Sequence, residues 1–576
     1  MKAKSEKARE KVKNTEKTKS KAIFKTTPKF RFTIIAIILI AIFSFAITPV
    51  TLQNDTFYTI KIGEHIQNVG IDGKDPFSWH EDLAYTYPHW LYDLITYWIY
   101  AGFGMQGIYV TTCILSCILG ISIFIVNKKL VKNNDVCSFF ITIGVMYLLR
   151  PYIAARAQLV TFILFIWTIF FIEKFLNTKK IRYAVPLIII PILIANLHVA
   201  VWPFYFVLYL PYIAEYLIAI FSDFVLYDKA QFIYYNMKIN YLEKKQARNE
   251  KEEEKLQKLK ETVKERKAAI DKVKIKREQT KKNPYKIKIV KKDATKWLII
   301  IFIICIFTGL LTPLGDTPYT YLIKTYQGNT LQNINEHLPM TLANETAILC
   351  TFVILLAILV FTKAKIRLSD LFMLSGLLYL MLASKRQLTM FAMIGGIILN
   401  RLLADDFKNY DINPENILKY MAKPVISVLI IASVVWMSIY YIKPQMDDEY
   451  VSKSSYPVAA CDFILENVDL TTAKFYNEYN YGSYLLFRGI PVFIDSRADL
   501  YTPEFSGKEE DIFSDFLDTS SIGTFYEDTF EKYGITHVIC YKNSKMNMII
   551  TKTNDPKLTQ IYGDDNFVVY ERISNE

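Results

Sequence analysis

Asp55 is the first acidic residue after a long apolar segment, residues 33–51, so it would lie at a membrane surface if that segment crosses a bilayer. A carboxylate in that place could act as a general base. Residues 56–68 are predicted to form a helix that ends before Gly70, and Asp55 is suited to cap the N-terminus of that helix. The catalytic role and the structural role are compatible with each other.

Four basic residues beside other apolar segments form a second group of candidates: Arg150, Arg156, Lys385 and Arg386. The topology described below places them outside, against the usual excess of positive charge on the cytoplasmic side, and charges in such places are usually retained for a reason. They could hold a phosphate or pyrophosphate, which an arginine side chain can bind with two parallel hydrogen bonds. The alternative is that they pair with lipid headgroups or with acidic residues of the outer loops.

A metal site is the third kind of chemistry that the residue types would allow. The candidates are His65, His80, His89 and His337, together with Asp55, Asp75 and Glu336. No spacing among them requires a metal, so no ligand is assigned, and His65 and His80 stay only as weak candidates. A divalent metal is the one cofactor that the sequence leaves open.

The elements that must position these residues follow from how charge is distributed. The chain has 576 residues, 68 Lys+Arg and 56 Asp+Glu, a net charge of +12 and a mean hydropathy of +0.18. Charged residues concentrate in residues 1–32, 228–297 and 443–576, and the other 340 residues contain only 40 of them. This distribution excludes an ordinary soluble enzyme, a disordered chain and a coiled-coil filament. It predicts a polytopic α-helical membrane protein with polar appendages.

Eleven apolar segments predict about 11 transmembrane helices. They are residues 33–51, 106–126, 135–149, 159–176, 183–200, 202–221, 297–314, 344–361, 370–383, 388–403 and 424–442. With the basic N-terminus in the cytoplasm, nearly every cluster of Lys and Arg falls inside, and the acidic C-terminal segment falls outside. The predicted organisation is a basic cytoplasmic tail (1–32), spans 1–6 (33–227), a charged cytoplasmic insertion (228–297), spans 7–11 (298–442) and an extracytoplasmic domain (443–576).

The insertion, residues 228–297, has 23 basic and 11 acidic residues. The side chains that fit a coiled-coil seam are Leu256, Leu259, Val263, Ile270 and Val273, with Arg266 interrupting the pattern. One straight helix could not return to the membrane within the short remaining segment, so the block is predicted to fold back as a hairpin or to lie along the bilayer. A solvated insertion is the simplest interpretation; an anionic lipid or a cytoplasmic partner is the alternative, and no nucleic acid partner is predicted.

The first outer loop, residues 52–105, contains a second predicted helix at 88–102. On it, His89, Asp93, Thr96 and Tyr100 share one face, whereas apolar side chains form the opposite face. A helix with this pattern is expected to lie in the membrane interface rather than to cross the membrane. The loop would therefore hold Asp55 at the membrane surface beneath two interfacial helices.

A series of short motifs, in this order, resembles the GT-C superfamily of integral-membrane glycosyltransferases, which includes protein mannosyltransferases, oligosaccharyltransferases and lipid A aminoarabinose transferases. The motifs are Asn54-Asp55, the helix before Gly70, Asp75-Pro76-Phe77-Ser78, His89-Trp90-Leu91, Arg150-Pro151 with Arg156, Asn196-Leu197-His198, Thr312-Pro313-Leu314-Gly315 with Glu336-His337, Ser384-Lys385-Arg386, Tyr481-Gly482-Ser483-Tyr484 and Asp495-Ser496-Arg497. They cover most of residues 33–576 apart from the charged insertion. Asp55 is a single acid where members of the superfamily often have a pair.

The resemblance implies a GT-C-like enzyme that moves a sugar from a polyprenyl-phosphate-linked donor to an acceptor on the outer face of the membrane, with membrane lipid as its surroundings. Asp55 would act on the acceptor, and Arg150, Arg156, Lys385 and Arg386 would bind the donor phosphate. Further residues expected to line the substrate site are Asp75, His89, Asp93, Asn196, His198, Glu336 and His337. Two other functions stay open, a transporter or flippase for a lipid-linked glycan and a non-enzymatic envelope assembly protein.

The C-terminal segment predicts a small α/β domain. The expected helices are residues 456–467 and 523–533, and the expected strands are residues 475–477, 492–494, 537–541 and 567–570. Asp495 and Arg497 follow a predicted strand end, where sites often lie, although a structural ion pair is the favoured interpretation. Cys461 and Cys540 could form a disulfide if this domain is extracytoplasmic, and the sequence leaves both states open.

Overall fold

The computed structural model describes residues 27–132, 134–221, 226–244, 249–281 and 286–573. Most of the predicted basic tail therefore lies outside the described residues. The α-helices are α1 (Pro28–Ala46), α2 (Asn54–Asn68), α3 (Trp90–Leu130), α4 (Asp135–Leu149), α5 (Ala157–Thr178), α6 (Ile181–Leu197), α7 (Trp202–Val207), α8 (Leu210–Phe221), α9 (Leu226–Glu243), α10 (Glu250–Lys281), α11 (Thr295–Ile306), α12 (Thr317–Gln327), α13 (Thr330–Asn333), α14 (Thr346–Phe361), α15 (Leu368–Ala383), α16 (Leu388–Asn409), α17 (Pro414–Met421), α18 (Pro424–Ile442), α19 (Val458–Asn467), α20 (Tyr479–Phe487), α21 (Pro503–Ser506), α22 (Ile512–Ser521), α23 (Tyr526–Tyr533) and α24 (Lys545–Thr553). The strands are β1 (Ile287–Lys288), β2 (Ile366–Arg367), β3 (Phe475–Tyr476), β4 (His537–Tyr541), β5 (Leu558–Gly563) and β6 (Phe567–Arg572).

Each of the eleven apolar segments coincides with helical structure, but a count of eleven membrane-spanning helices is not confirmed. Six helical segments of the described chain are long and apolar enough to cross a membrane: Pro28–Ala46, Trp90–Leu130, Ala157–Thr178, Val199–Phe221, Lys385–Asn409 and Pro424–Gln445. Four more apolar helices are shorter: Ile181–Leu197, Thr295–Leu310, Thr346–Phe361 and Leu368–Ala383. The fold is therefore that of a multi-pass, mainly helical membrane protein.

The helices of the first outer loop pack against each other at very short range. Gly63 on α2 faces the backbone of α3, and a Cβ atom at Gly63 would lie 2.1 Å from the carbonyl oxygen of Asp93. Gly104 has a positive φ of 62° and separates about the first four turns of α3 from the long apolar part that follows. The predicted interfacial helix is therefore the start of α3. Its polar face, with Asp93 and Thr96 buried, points into the protein, and Trp98 on the apolar face is exposed.

Interactions between loops define two ends of the helix bundle. At one end, Glu173 contacts Arg367 and Arg401 at 2.7 and 3.0 Å, and strands β1 and β2 pair in parallel beside this cluster. At the other end, residues 52–105 meet the loops that contain Arg156 and Glu336, and the C-terminal domain lies over them. The grouping agrees with the alternation of loops that the apolar segments predict.

The charged insertion forms a helical hairpin, one of the two arrangements predicted for it. Helices α9 and α10 pack through Ile239, Leu242 and Leu256, and Lys260 Nζ lies 2.7 Å from Glu243 Oε1. Of the predicted seam, Leu259 and Val263 join this small core, and the side chain of Val273 is outside the part that the structure describes. A continuous coiled coil over the whole seam is not shown.

The C-terminal domain contains a four-stranded sheet in the order β3-β4-β6-β5, parallel between β3 and β4 and antiparallel elsewhere. The predicted strand at 492–494 is wrong, because these residues make only a single bridge, between Val492 and Ser78 of the first outer loop. Strand β5 and helices α20, α21, α22 and α24 were not predicted. Cys461 and Cys540 are both buried and free, so they do not pair.

Candidate active site

A cavity of about 1270 Å³ separates one end of the helix bundle from the C-terminal domain. Its bundle side includes Asp55 at the start of α2, Arg156 before α5, and Arg386 before α16. Its other side is formed by residues of the C-terminal domain, including Glu478 and Tyr541. A deep, partly polar cleft between two structural units is a common place for a ligand site.

Arg156 connects the two carboxylates at the bundle side of this cavity. Its Nε atom lies 3.0 Å from Oδ2 of Asp55, and its Nη1 atom lies 3.0 Å from Oε1 of Glu336. Burial alone would lower the pKa of the Arg156 guanidinium, but Asp55 and Glu336 together raise it. Burial would likewise raise the pKa of Glu336, but Arg156 and Arg386 lower it, so both partners are charged at neutral pH. We call Asp55, Arg156 and Glu336 the charged triad.

Asp55 does not cap its helix, which corrects the prediction. Helix α2 begins at Asn54, its N-cap is Gln53, and Asp55 lies in the first turn. A carboxylate in the first turn is favoured by the exposed N–H groups and the dipole at the N-terminus. The first turn of α2 therefore places the side chain of Asp55 where Arg156 contacts it.

Arg386 is a cation in the same cavity without an ion partner of its own among the described residues. Its Nη2 atom donates to Gln158 Oε1 at 3.4 Å, and its backbone N–H donates to the carbonyl of Glu336 at 3.0 Å. A small side pocket behind the triad is lined by Asp55, Arg386 and the two histidines His89 and His198. Arg386 is thus a positive charge beside the triad that an anionic ligand could reach.

Three of the candidate histidines line the cavity as neutral groups. The rings of His89 and His198 lie 4.9 Å apart, and His337 follows Glu336. Burial, followed by the charges of Arg386 and Arg156, lowers the pKa of His89 to about 3, and burial with Arg386 lowers that of His337 to about 4. At neutral pH these side chains can donate or accept hydrogen bonds but carry no positive charge.

Two of the four predicted phosphate-binding cations do not line the cavity. The guanidinium of Arg150 lies over the rings of Tyr441 and Tyr147, with 4.9 Å from its carbon to the centre of the Tyr441 ring. Lys385 donates to Asn335 Oδ1 at 2.8 Å beside the cavity. The structure therefore brings Arg156 and Arg386 to Asp55 and leaves Arg150 and Lys385 apart.

Two of the predicted substrate-lining residues have structural partners instead, and a third is buried away from the cavity. Asp75 is fully buried and contacts Nη1 of Arg497 at 2.7 Å, which in turn binds Asp495 at 2.6 Å. Asn196 donates to the carbonyl of Leu311 at 2.9 Å, and its amide oxygen accepts from the indole of Trp90. Asp93 is buried under α2. None of these three lines the cavity, because each closes a contact between two segments of the protein.

The geometry offers no set of ligands for a metal among the described residues: no group of three or more His, Cys, Asp or Glu side chains is arranged to hold one. Asp55 and Glu336 both contact the same guanidinium. His65 lies 3.2 Å from Asp72, and His80 contacts the carbonyl oxygen of Phe493 at 2.9 Å. These two histidines fix the first outer loop and its contact with the C-terminal domain.

The sequence analysis missed the wall of the cavity that the C-terminal domain provides. We call Glu478, Asn480, Tyr541, Asn543 and Lys545 the domain wall. Burial raises the pKa of Glu478 to about 7, opposed by a hydrogen bond from the backbone of Tyr541. Glu478 follows the end of β3, so the rule that sites lie beyond strand ends could have pointed to it.

Comparisons with known proteins agree on the fold. No protein-family model matches the sequence, and no curated protein matches it either. The archaeal oligosaccharyltransferase AglB from Archaeoglobus fulgidus, solved with an inhibitory peptide and a dolichol-phosphate, is similar over 89% of this chain and 70% of its own, with a TM-score of 0.52 and 11% identity. The A. fulgidus enzyme tethered to an acceptor peptide is similar over 94% of this chain and 74% of its own, with a TM-score of 0.51 and 12% identity. The apo form of the A. fulgidus enzyme is similar over 88% of this chain and 69% of its own, with a TM-score of 0.52 and 11% identity. AglB is a GT-C membrane glycosyltransferase, so the resemblance inferred from the motifs is confirmed for the fold.

Proposed function

We propose that the protein is a membrane glycosyltransferase that moves a sugar from a polyprenyl-phosphate-linked donor to an acceptor on the outer face of the membrane. The fold supports the enzyme class, and one similar structure contains a dolichol-phosphate. The observation that carries the proposal is the position of Arg386, a cation with no ion partner among the described residues, beside the charged triad in a cavity that reaches the helix bundle.

In this proposal Arg386 binds the donor phosphate next to the sugar. During transfer the bond between the anomeric carbon and the phosphate oxygen breaks, and the phosphate keeps the electron pair. A new bond forms between that carbon and an acceptor oxygen, which loses its proton. Asp55 orients the acceptor or takes the proton, and Arg156 fixes the position of that carboxylate.

The carboxylates of the charged triad would also keep the donor phosphate away from Arg156. Arg156 is already balanced by two carboxylates, so the phosphate is directed to Arg386 rather than to Arg156. The neutral histidines His89 and His198 can donate hydrogen bonds to the sugar or the phosphate without adding charge. In this proposal Arg386 therefore provides the positive charge, and His89 and His198 provide uncharged hydrogen bonds.

The experiment is a transfer assay with the purified protein in nanodiscs, a radiolabelled polyprenyl-phosphate sugar and a membrane extract as the source of acceptor. Replacement R386A should raise the KM for the donor about 10- to 100-fold, because a hydrogen-bonded charge contributes about 1.5–3 kcal/mol to binding. R150A is the matched control, since the structure places Arg150 outside the cavity lining, and its donor KM should stay unchanged. No transfer by the wild type, or equal effects of the two replacements, would contradict the proposal.

A further inference from the structure

The domain wall differs in chemistry from the bundle side of the cavity. The bundle side contains the charged triad and the cation Arg386, whereas on the domain wall the amide groups of Asn480 and Asn543 and the ammonium group of Lys545 form no hydrogen bond or ion pair with any described residue. The side chain of Glu478 accepts a hydrogen bond from the backbone N–H of Tyr481, and the hydroxyl of Tyr481 accepts one from the backbone N–H of Glu478. Free hydrogen-bonding groups on a cavity wall are the specific features that orient a ligand.

The position of the wall relative to the triad makes it the second half of one site. Asn54, next to Asp55, donates from its side chain to the carbonyl of Tyr479 at 2.9 Å, and Tyr479 follows Glu478 in the chain. The domain wall is therefore attached directly to the segment that contains the proposed catalytic carboxylate. A molecule that touches this wall would extend towards Asp55.

We infer that the domain wall binds the acceptor and that the acceptor is a carbohydrate. The wall combines a carboxylate, two amides and an ammonium group with the half-buried side chain of Tyr541. Amides both donate and accept hydrogen bonds, and a carboxylate accepts several, which matches the closely spaced hydroxyl groups of a sugar. An aromatic ring with a polar tip suits a sugar, which has an apolar C–H face and polar edges. This inference rests on the proposed function, because it names the acceptor of the same transfer.

The ionisation of Glu478 should make the affinity for the acceptor depend on pH. Its carboxyl loses its proton near pH 7, and the ionised form is the stronger hydrogen-bond acceptor for sugar hydroxyls. The titratable groups that face it are Tyr476, Tyr481, Cys540 and Tyr541, and burial raises the pKa of each, so all four stay neutral between pH 6 and 8. Affinity for the acceptor should therefore rise with pH across this range.

The test measures binding and does not depend on transfer. The full-length protein in nanodiscs is titrated calorimetrically with a panel of defined tetrasaccharides and with a panel of hydrophilic octapeptides. At least one tetrasaccharide should bind, and E478Q should weaken its binding about tenfold at pH 8 and remove the pH dependence. The double replacement of Asn480 and Asn543 by alanine should weaken binding by a similar factor. E466Q is the matched control, because Glu466 is an exposed acid of the same domain outside the cavity lining.

The outcomes separate this inference from the proposed function. The inference fails if no tetrasaccharide binds, if the octapeptides bind to the wall instead, or if E478Q and the asparagine replacements leave tetrasaccharide affinity unchanged. It also fails if E466Q has the same effect as E478Q. Thermal unfolding of each variant, measured beside the titration, identifies a loss of binding that comes from misfolding. Sugar transfer by a protein whose wall binds no glycan would sustain the proposed function and overturn only the acceptor assignment.

Discussion

Replacement of Asp55 by asparagine separates the catalytic role of the carboxylate from its structural role. Asn keeps the size of the side chain and can still accept a hydrogen bond, but it removes the negative charge and the basicity. Because Gln53 occupies the N-cap position of α2 and Asp55 lies in the first turn, the change does not remove a helix cap. Transfer should fall about 10²- to 10⁴-fold, the usual contribution of a positioned acid or base.

The structure also predicts how much stability the charged triad contributes. Breaking a buried ion pair costs about 3–5 kcal/mol when the remaining charge has no partner. In D55N, however, Arg156 keeps Glu336 at 3.0 Å, and the side chains are partly exposed, so the cost should be only about 1 kcal/mol. The same holds for E336Q. The double variant leaves Arg156 without either carboxylate, and its free energy of unfolding should fall by more than the sum of the two single changes.

The assay for this prediction combines initial rates of transfer with thermal unfolding of the purified protein. The matched control is E64Q, which removes a carboxylate from the same helix, where Glu64 pairs only with Lys61 near the surface. E64Q should change neither the rate nor the stability by a measurable amount. If D55N is folded and transfers sugar at the wild-type rate, the carboxylate only positions Arg156, and the reasoning about catalysis is refuted.

Three further predictions concern the frame around the site. R497A should lower the free energy of unfolding by about 3–5 kcal/mol, because it leaves Asp75 and Asp495 buried without a cation; an unchanged melting temperature would contradict this. Burial lowers the pKa of His80 to about 4 from an ordinary value near 6.5, so the unfolded state binds a proton first and the free energy of unfolding should fall as the pH decreases from 6.5 to 4. The free energy of unfolding of H80Q should fall by up to about 3 kcal/mol less over that range. Parallel curves of stability against pH for the two proteins would refute the assignment. A reporter that is active only outside the cytoplasm should be active when it is fused after Lys443, and a reporter that is active only in the cytoplasm should be inactive there. The reverse result would overturn the proposed topology.

The sequence could predict most of the helical framework. Long apolar segments such as 159–176 and 388–403 must be helical in a membrane, because the lipid offers no partner for backbone N–H and C=O groups. The apolar segments also agree with the loops that meet at each end of the bundle. The number of crossing helices could not be predicted in the same way, because several apolar helices are shorter than the bilayer is thick.

The site could be predicted only in part. Asp55, Glu336 and His337 were found as candidates mainly through the resemblance of their motifs, and Arg156 and Arg386 because charges beside apolar segments on the outer side are unusual. Their roles could not be sorted by residue type, since Arg150 and Arg156 are alike in sequence. Only the folded chain shows that Arg156 meets two carboxylates while Arg150 lies over aromatic rings.

What the sequence by itself determined is therefore what depends on neighbours along the chain: apolar length, charge segregation and the presence of helix α2. What the tertiary structure decided is which distant side chains meet. Asp75 and Arg497 are more than 400 positions apart, yet they form one buried ion pair that attaches the C-terminal domain to the first outer loop. Glu478 becomes part of a cavity wall for the same reason. Ion pairing and desolvation act over a few ångströms in space, and separation along the sequence carries no information about such distances.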